Sequence, residues 1–183
     1  MSGFIPQITT RVSVIPHLES LDEGLEIIDG SEILSECFTE VREHLLNVRS
    51  ELDETKDPLA ERLANILSDT QGEIIGMKHD FTGMMKNSVD VMKDGDGEYL
   101  VGNTATSVDG FPYPLAIETG RREVRPVEAK VLRWWTEPNF SGDIVFARRS
   151  RSVKADPYVD YSIDLAMGFV EDTVDEHIAP ILK

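Results

Sequence analysis

Between Ile8 and Ile15 the chain alternates, with Ile8, Thr10, Val12 and Val14 set against Thr9, Arg11, Ser13 and Ile15. A period of two predicts a strand or an extended arm, ended by Pro16. Such a segment either adds a strand to a partner's sheet or lies at the edge of its own. Leu18–Gly30 is acidic and irregular and reads as a linker. The period then changes. Ile33, Leu34, Cys37, Phe38, Val41, Leu45 and Val48 recur at helical spacing, with Ser31 as N-cap and an end near Leu52. Asp57-Pro58 predicts a second start, because proline at a first helical position loses nothing by lacking its N–H. Leu59, Leu63, Ile66 and Leu67 form the next stripe, closed by Gln71-Gly72.

Alternation returns in Ser88–Lys93 and again in Glu98–Gly102. Between them Asp94-Gly-Asp-Gly97 is a turn sequence, so the two segments read as a hairpin. Asn103–Phe111 reads as a polar loop. Pro114 suits the first turn of a short helix and Gly120 its C-terminal cap. Val127, Val131, Trp134 and Trp135 predict a further short helix, and Asp143–Arg148 a further strand. Asp156-Pro157 opens a C-terminal helix carrying Ile163, Ala166, Phe169, Val170, Val174, Ile178 and Ile181. Helices, then antiparallel strands, then a helix make an α+β layout. A single domain 1–183 is expected, comprising an N-terminal arm or linker (1–30), a helical part (31–72) and an α+β part (81–183). Its antiparallel sheet with the hairpin packs against the N-terminal helices and a long C-terminal helix.

A chain of 183 residues is long enough to bury roughly 70% of its unfolded surface in one core. Its net charge of −16 argues against non-specific binding of DNA over the whole surface. The charge is unevenly placed. Residues 1–120 hold 8 Lys/Arg and 23 Asp/Glu, residues 121–154 hold 9 and 4, and residues 155–183 hold 1 and 7. The middle segment is therefore basic on an acidic protein. Such asymmetry marks a contact surface unless the basic loops pair with acidic neighbours in the same subunit.

Catalytic chemistry is hard to find. His17, His44, His79 and His177 fall in no metal-ligand spacing, and Cys37 stands alone, which excludes a disulfide framework and a cysteine-based zinc site. No GxSxG elbow, P-loop or GxGxxG opens a helix. Carboxylates are too abundant to single out a catalytic pair, and no cofactor is implied. Met1–Pro16 lacks the basic and apolar parts of a signal peptide, and no run is long enough for a membrane helix, so intracellular synthesis is the expectation. Trp134 and Trp135, about 100° apart on a helix, divide between core and surface. Trp135 is the candidate for a subunit interface, where aromatic residues are enriched.

Three segments carry a family resemblance. Phe81-Thr-Gly-Met-Met-Lys-Asn-Ser-Val89 resembles a TG-x-L-(R/K)-x-S-(I/V) turn leading into a hairpin. Tyr113-Pro-Leu-Ala-Ile-Glu-Thr-Gly120 resembles the Y-A-x-x-(V/I)-E-x-G turn that follows, with Pro114 where alanine is usual. Ala155-Asp-Pro-Tyr-Val159 resembles the (A/R)-x-P-(F/Y)-(L/V) entry into a last helix. In this order and spacing they are similar to the neck and tail-completion proteins of tailed phages, the gene-product-10-like minor tail components. The motif positions are Thr82, Gly83, Ser88, Tyr113, Glu118, Gly120, Pro157 and Tyr158.

The resemblance implies a non-enzymatic virion structural protein, assembled in the host cytoplasm as a homo-oligomeric ring, a hexamer, at the neck or top of the tail. Such a ring joins the head connector or stopper to the tail tube as neck, tail-completion or tail-terminator protein. DNA passes only through its lumen, and no membrane is involved. Arg121, Arg122, Arg125, Trp135, Arg148, Arg149, Arg151 and Lys154 are the expected interface residues. Glu118 is expected to clamp its loop or to meet an arginine of a neighbouring subunit. Two other classes remain open: an acidic DNA-mimic or inhibitor of a nucleic-acid-processing partner, and a small hydrolase with a concealed perturbed carboxylate.

Overall fold

The alternating first segment forms strand β1 (Ile8–Ser13), and it belongs to the chain's own sheet. It lies antiparallel to β3 (Glu98–Asn103), which pairs on its other side with β2 (Val89–Gly95). The strand order is thus β1-β3-β2, with the predicted hairpin as its second half. This computed structural model describes residues 8–30, 38–78, 83–106, 113–123, 125–126, 129–137 and 141–183, with backbone only for 133–137 and 141–142. The fold is α+β as the pattern indicates, but several local expectations give way, among them the helix end at Gln71-Gly72, which α2 passes.

First, Leu18–Gly30 is not a linker. Glu19–Asp29 is helix α1, whose stripe of Leu21, Leu25 and Ile28 buries Leu25. The density of acids between these positions hides the spacing. Asp22 and Asp29 pair with Arg49 and Arg42 of the next helix in antiparallel order.

Second, the two central helices are one. Helix α2 runs from Thr39 to Lys78 with Pro58 inside it. Asp57 does not cap a helix start; its carboxylate leaves the helix and grips the hairpin turn. Oδ1 accepts from the Gly97 N–H (3.1 Å), and Oδ2 accepts from Lys93 Nζ (2.6 Å) and the Tyr99 hydroxyl (3.4 Å). Lys56 reaches Asp96 in the same turn at 2.6 Å. Burial of Leu59, Ala60, Ala64 and Leu67 directly after the proline outweighs the local break. Ser31, the expected N-cap, lies outside the described residues.

Third, Leu132–Glu137 is strand β4 rather than a helix, paired with β5 (Ser141–Ala147). Trp134 faces Val145 and Trp135 faces Ile144 in the register. Eleven residues between Pro126 and Pro138, rich in aromatic and branched types, favour a ribbon over a helix with nothing to pack on. Fourth, the C-terminal helix is two. Helix α4 (Tyr158–Met167) stops at Gly168, and α5 (Val170–Ile178) begins after Phe169. The Gly168 and Phe169 N–H groups bond three residues back, to Leu165 and Ala166, so the chain tightens and turns there. The short predicted helix is α3 (Tyr113–Glu118).

Alternation along the sheet positions the core. Tyr99 and Val101 of β3, with Val12 and Val91 beside them, pack on Ala60, Ala64 and Leu67 of α2 and Ala166 of α4. Asn103, next in the same alternation, is buried rather than part of a polar loop. Its Nδ2 donates to the Met85 carbonyl (2.8 Å), and its Oδ1 accepts from Ala105 N–H (2.9 Å), so it closes the end of the sheet without an unpaired polar atom.

Lys93 and the Gly97 N–H hold the Asp57 carboxyl below its ordinary value of 3.8. The folded pKa lies below the unfolded one. The contribution is therefore complete above about pH 4 and is lost as pH falls through the folded value. Asp57→Asn should lower the melting temperature slightly at pH 7, and the gap to the parent should narrow by pH 3. Parallel melting curves at both pH values check this; a gap that widens in acid contradicts the assignment.

Candidate assembly surface

The three resembling segments, far apart in sequence, share one small core. Met85 from the first, Ile117 from the second, and Tyr158 and Val159 from the third pack with Ile74 and Ile75 of α2 and with Ala105. Tyr158 is 1% exposed, and burial, reinforced by the nearby Glu118 carboxylate, pushes its hydroxyl pKa upward. Backbone contacts tie the second segment to the third. The Asp156 N–H donates to the Ile117 carbonyl (2.9 Å). Arg121 and Val153 exchange both backbone hydrogen bonds, at 3.0 and 2.8 Å.

Glu118 holds the start of α4 rather than its own loop, and it meets no arginine among the described residues. Its Oε2 accepts from the Val159 N–H at 3.1 Å, so a carboxylate forty-one positions away caps the start of α4. Burial pushes the Glu118 carboxyl up, and the N–H groups of Val159 and Tyr158 oppose that shift. The raised carboxyl is thus also the cap of α4. Pro157 stands at the N-cap of α4, where the side-chain cap is missing that Glu118 replaces.

Gly120 explains why the turn ends on glycine. Its φ is +74°, and an added Cβ would lie 2.7 Å from the Ala155 nitrogen and 2.8 Å from the Val153 oxygen. Gly83 also has positive φ (+76°) and opens the turn before the hairpin. Ser88 donates to the Met84 carbonyl at 2.6 Å, and its own carbonyl accepts from Thr104. Tyr113 opens α3 at the surface, and Thr82 lies outside the described residues.

The Arg121–Val153 bridge brings the two basic stretches together. Arg121 is half-buried and donates to the Ser150 hydroxyl (2.8 Å). Glu123 holds Arg125 at 2.7 Å and Arg149 at 3.2 Å, which keeps its carboxyl below the usual range. Arg122, Arg148, Arg151 and Lys154 are exposed and make no ion pair among the described residues. Among those residues the basic stretches pair with no carboxylate of α1, α2 or α5. Trp135 lies on β4, and its side chain is outside those described.

Asp57 and Asn103 organise the sheet, roles other than the helix start and polar loop their local sequence predicts. Asn103 had a signal, since it continues the alternation of Tyr99 and Val101. Asp57 had none, because its partners lie some forty residues away. Among the described residues no group of three or more His, Cys, Asp or Glu is arranged to hold a metal, and no helix is long and apolar enough to cross a membrane. No family model, curated protein or solved structure significantly matches the chain.

Proposed function

We propose that the chain is a virion structural protein of the head–tail junction, assembling as a ring, a hexamer, that joins the head connector to the tail tube. The observation that carries this reading is the convergence of the three resembling segments on one core. They behave as a unit whose use is to present Arg121–Arg125 and Arg148–Lys154 as one basic surface. A closed ring needs two different complementary patches on each subunit. An acidic body with one basic surface supplies them. An acidic lumen also suits DNA that must pass without adhering.

Native mass spectrometry of the purified chain at low salt tests the reading. The expected species is a ring of about 120 kDa, from six copies of the 20.5 kDa chain, dissociating as salt is raised. A persistent monomer that binds a nuclease tightly would overturn it in favour of the DNA-mimic class. Reversing Arg121, Arg122 and Arg125 to glutamate should weaken assembly about tenfold or more while leaving the helical circular dichroism intact. Normal assembly by that variant would remove this loop from the interface.

A further inference from the structure

The C-terminal helices leave a groove against α2 that the chain's own ribbon does not fill. Its apolar part is Ile66 of α2 with Leu165 and Phe169, which are 49% and 51% exposed. Two carboxylates one turn apart flank it on each side, Asp69 and Glu73 on α2 and Asp172 and Glu176 on α5. Arg62 is the one cation lining it among the described residues, and none of the four carboxylates has an ion-pair partner there. Like charges one helical turn apart repel, so the groove carries an unfavourable field that a cationic occupant would relieve.

The opposite combination lies elsewhere on the same chain. Ile144 and Phe146, two residues apart on β5 and so on one face, are 44% and 60% exposed. Directly after them come Arg148, Arg151 and Lys154, exposed and unpaired among the described residues. β4 and β5 pack chiefly on each other. Each surface joins exposed apolar area to a net charge, negative in the groove and positive on the ribbon.

We infer that the groove between α2 and α5 receives the β5 face and the Arg148–Lys154 segment of a second copy of this chain. Phe146 enters beside Leu165 and Phe169 while the cations meet the flanking carboxylates. The contact is heterologous: groove and ribbon are different patches, so every subunit offers one of each and the series can close. The inference rests on the ring reading and names the surface that makes the ring.

Charge exchange separates the two ideas. Sedimentation equilibrium at about 100 µM chain and low salt would compare four proteins: the parent, Asp172→Lys/Glu176→Lys, Arg148→Glu/Arg151→Glu, and the variant carrying all four changes. All four positions are exposed, and circular dichroism confirms that each protein folds. Each one-sided variant should lose association about tenfold or more, and the four-site variant should recover most of it. One-sided variants that assemble like the parent would remove the groove and leave the ring standing. Loss on both sides without recovery would show that the two faces do not meet each other. A parent that stays monomeric would overturn both the docking and the self-assembled ring.

Discussion

Gly120→Ala is expected to lower stability by about 3 kcal/mol, more than the same change at Gly95. Two costs combine. A non-glycine residue in left-handed backbone costs about 1–2 kcal/mol, and Gly120 sits at φ +74°. The new Cβ would also lie 2.7 Å from Ala155 N and 2.8 Å from Val153 O, both backbone atoms, so no side chain can swing aside. Displacing a packed neighbour costs about 1–3 kcal/mol more. Against a total of about 5–15 kcal/mol for a domain, this is a large fraction. Gly95→Ala is the control: its added Cβ meets nothing nearer than Glu98 Cβ at 3.6 Å and should change stability by under about 1 kcal/mol. Urea midpoints of the three proteins decide the matter, and equal midpoints for the two variants would show that the turn gives way more easily than the contacts imply. The displacement also has a functional reading. It would push Val153 away from Arg121 and so part the two basic stretches, and assembly should fail before folding does.

Pro58→Ala should act in the opposite sense and raise stability by about 2 kcal/mol. Proline in a helix interior costs about 3 kcal/mol relative to alanine, because the carbonyl four residues back loses its donor and the ring crowds it. In α2 that carbonyl belongs to Glu54, and Pro58 itself is exposed and packs on little. Part of the gain is offset, by about 0.4–1 kcal/mol, because proline also restricts the unfolded chain. Denaturant titration of the variant measures the balance. A fall in midpoint would mean that the proline sets the path of α2 so that Lys56 and Asp57 reach Asp96 and Gly97. The Asp57 contacts would then be lost together with the gain.

Pro58 also shows where the pattern of the sequence stops being informative. The hairpin from Val89 to Asn103, the short helix and the glycine after it were legible because turn chemistry and alternation are local. The continuity of α2 was not, because the burial that overrides Pro58 comes from β3 and α4, distant in the chain. The tryptophan segment failed for a related reason. Its spacing admits a helix, and only the partner run Ile144-Val-Phe146 makes the ribbon better. Gly168 was visible, yet the apolar stripe runs on through it, and the chain needed the turn to lay α5 on α2. The arginines were legible as a basic segment. That Arg121 and Val153 join its two ends, and that Glu118 caps α4, depends on contacts across thirty to forty residues that no local window contains.

Strand β1 adds a consequence in time rather than in space. Ile8 pairs with Asn103, so β1 waits for a partner ninety-five positions behind it. At translation rates of about 5–20 residues per second, that delay is roughly 5–20 s. Helix α2 waits as well, since the burial that carries it past Pro58 comes from β3 and α4. Until the hairpin appears, the alternating strand has no partner within its own chain. Arg11, in the middle of that strand, is the guard against premature pairing. It later finds Asp94 and Glu98 at 2.8 and 2.7 Å, when the hairpin arrives.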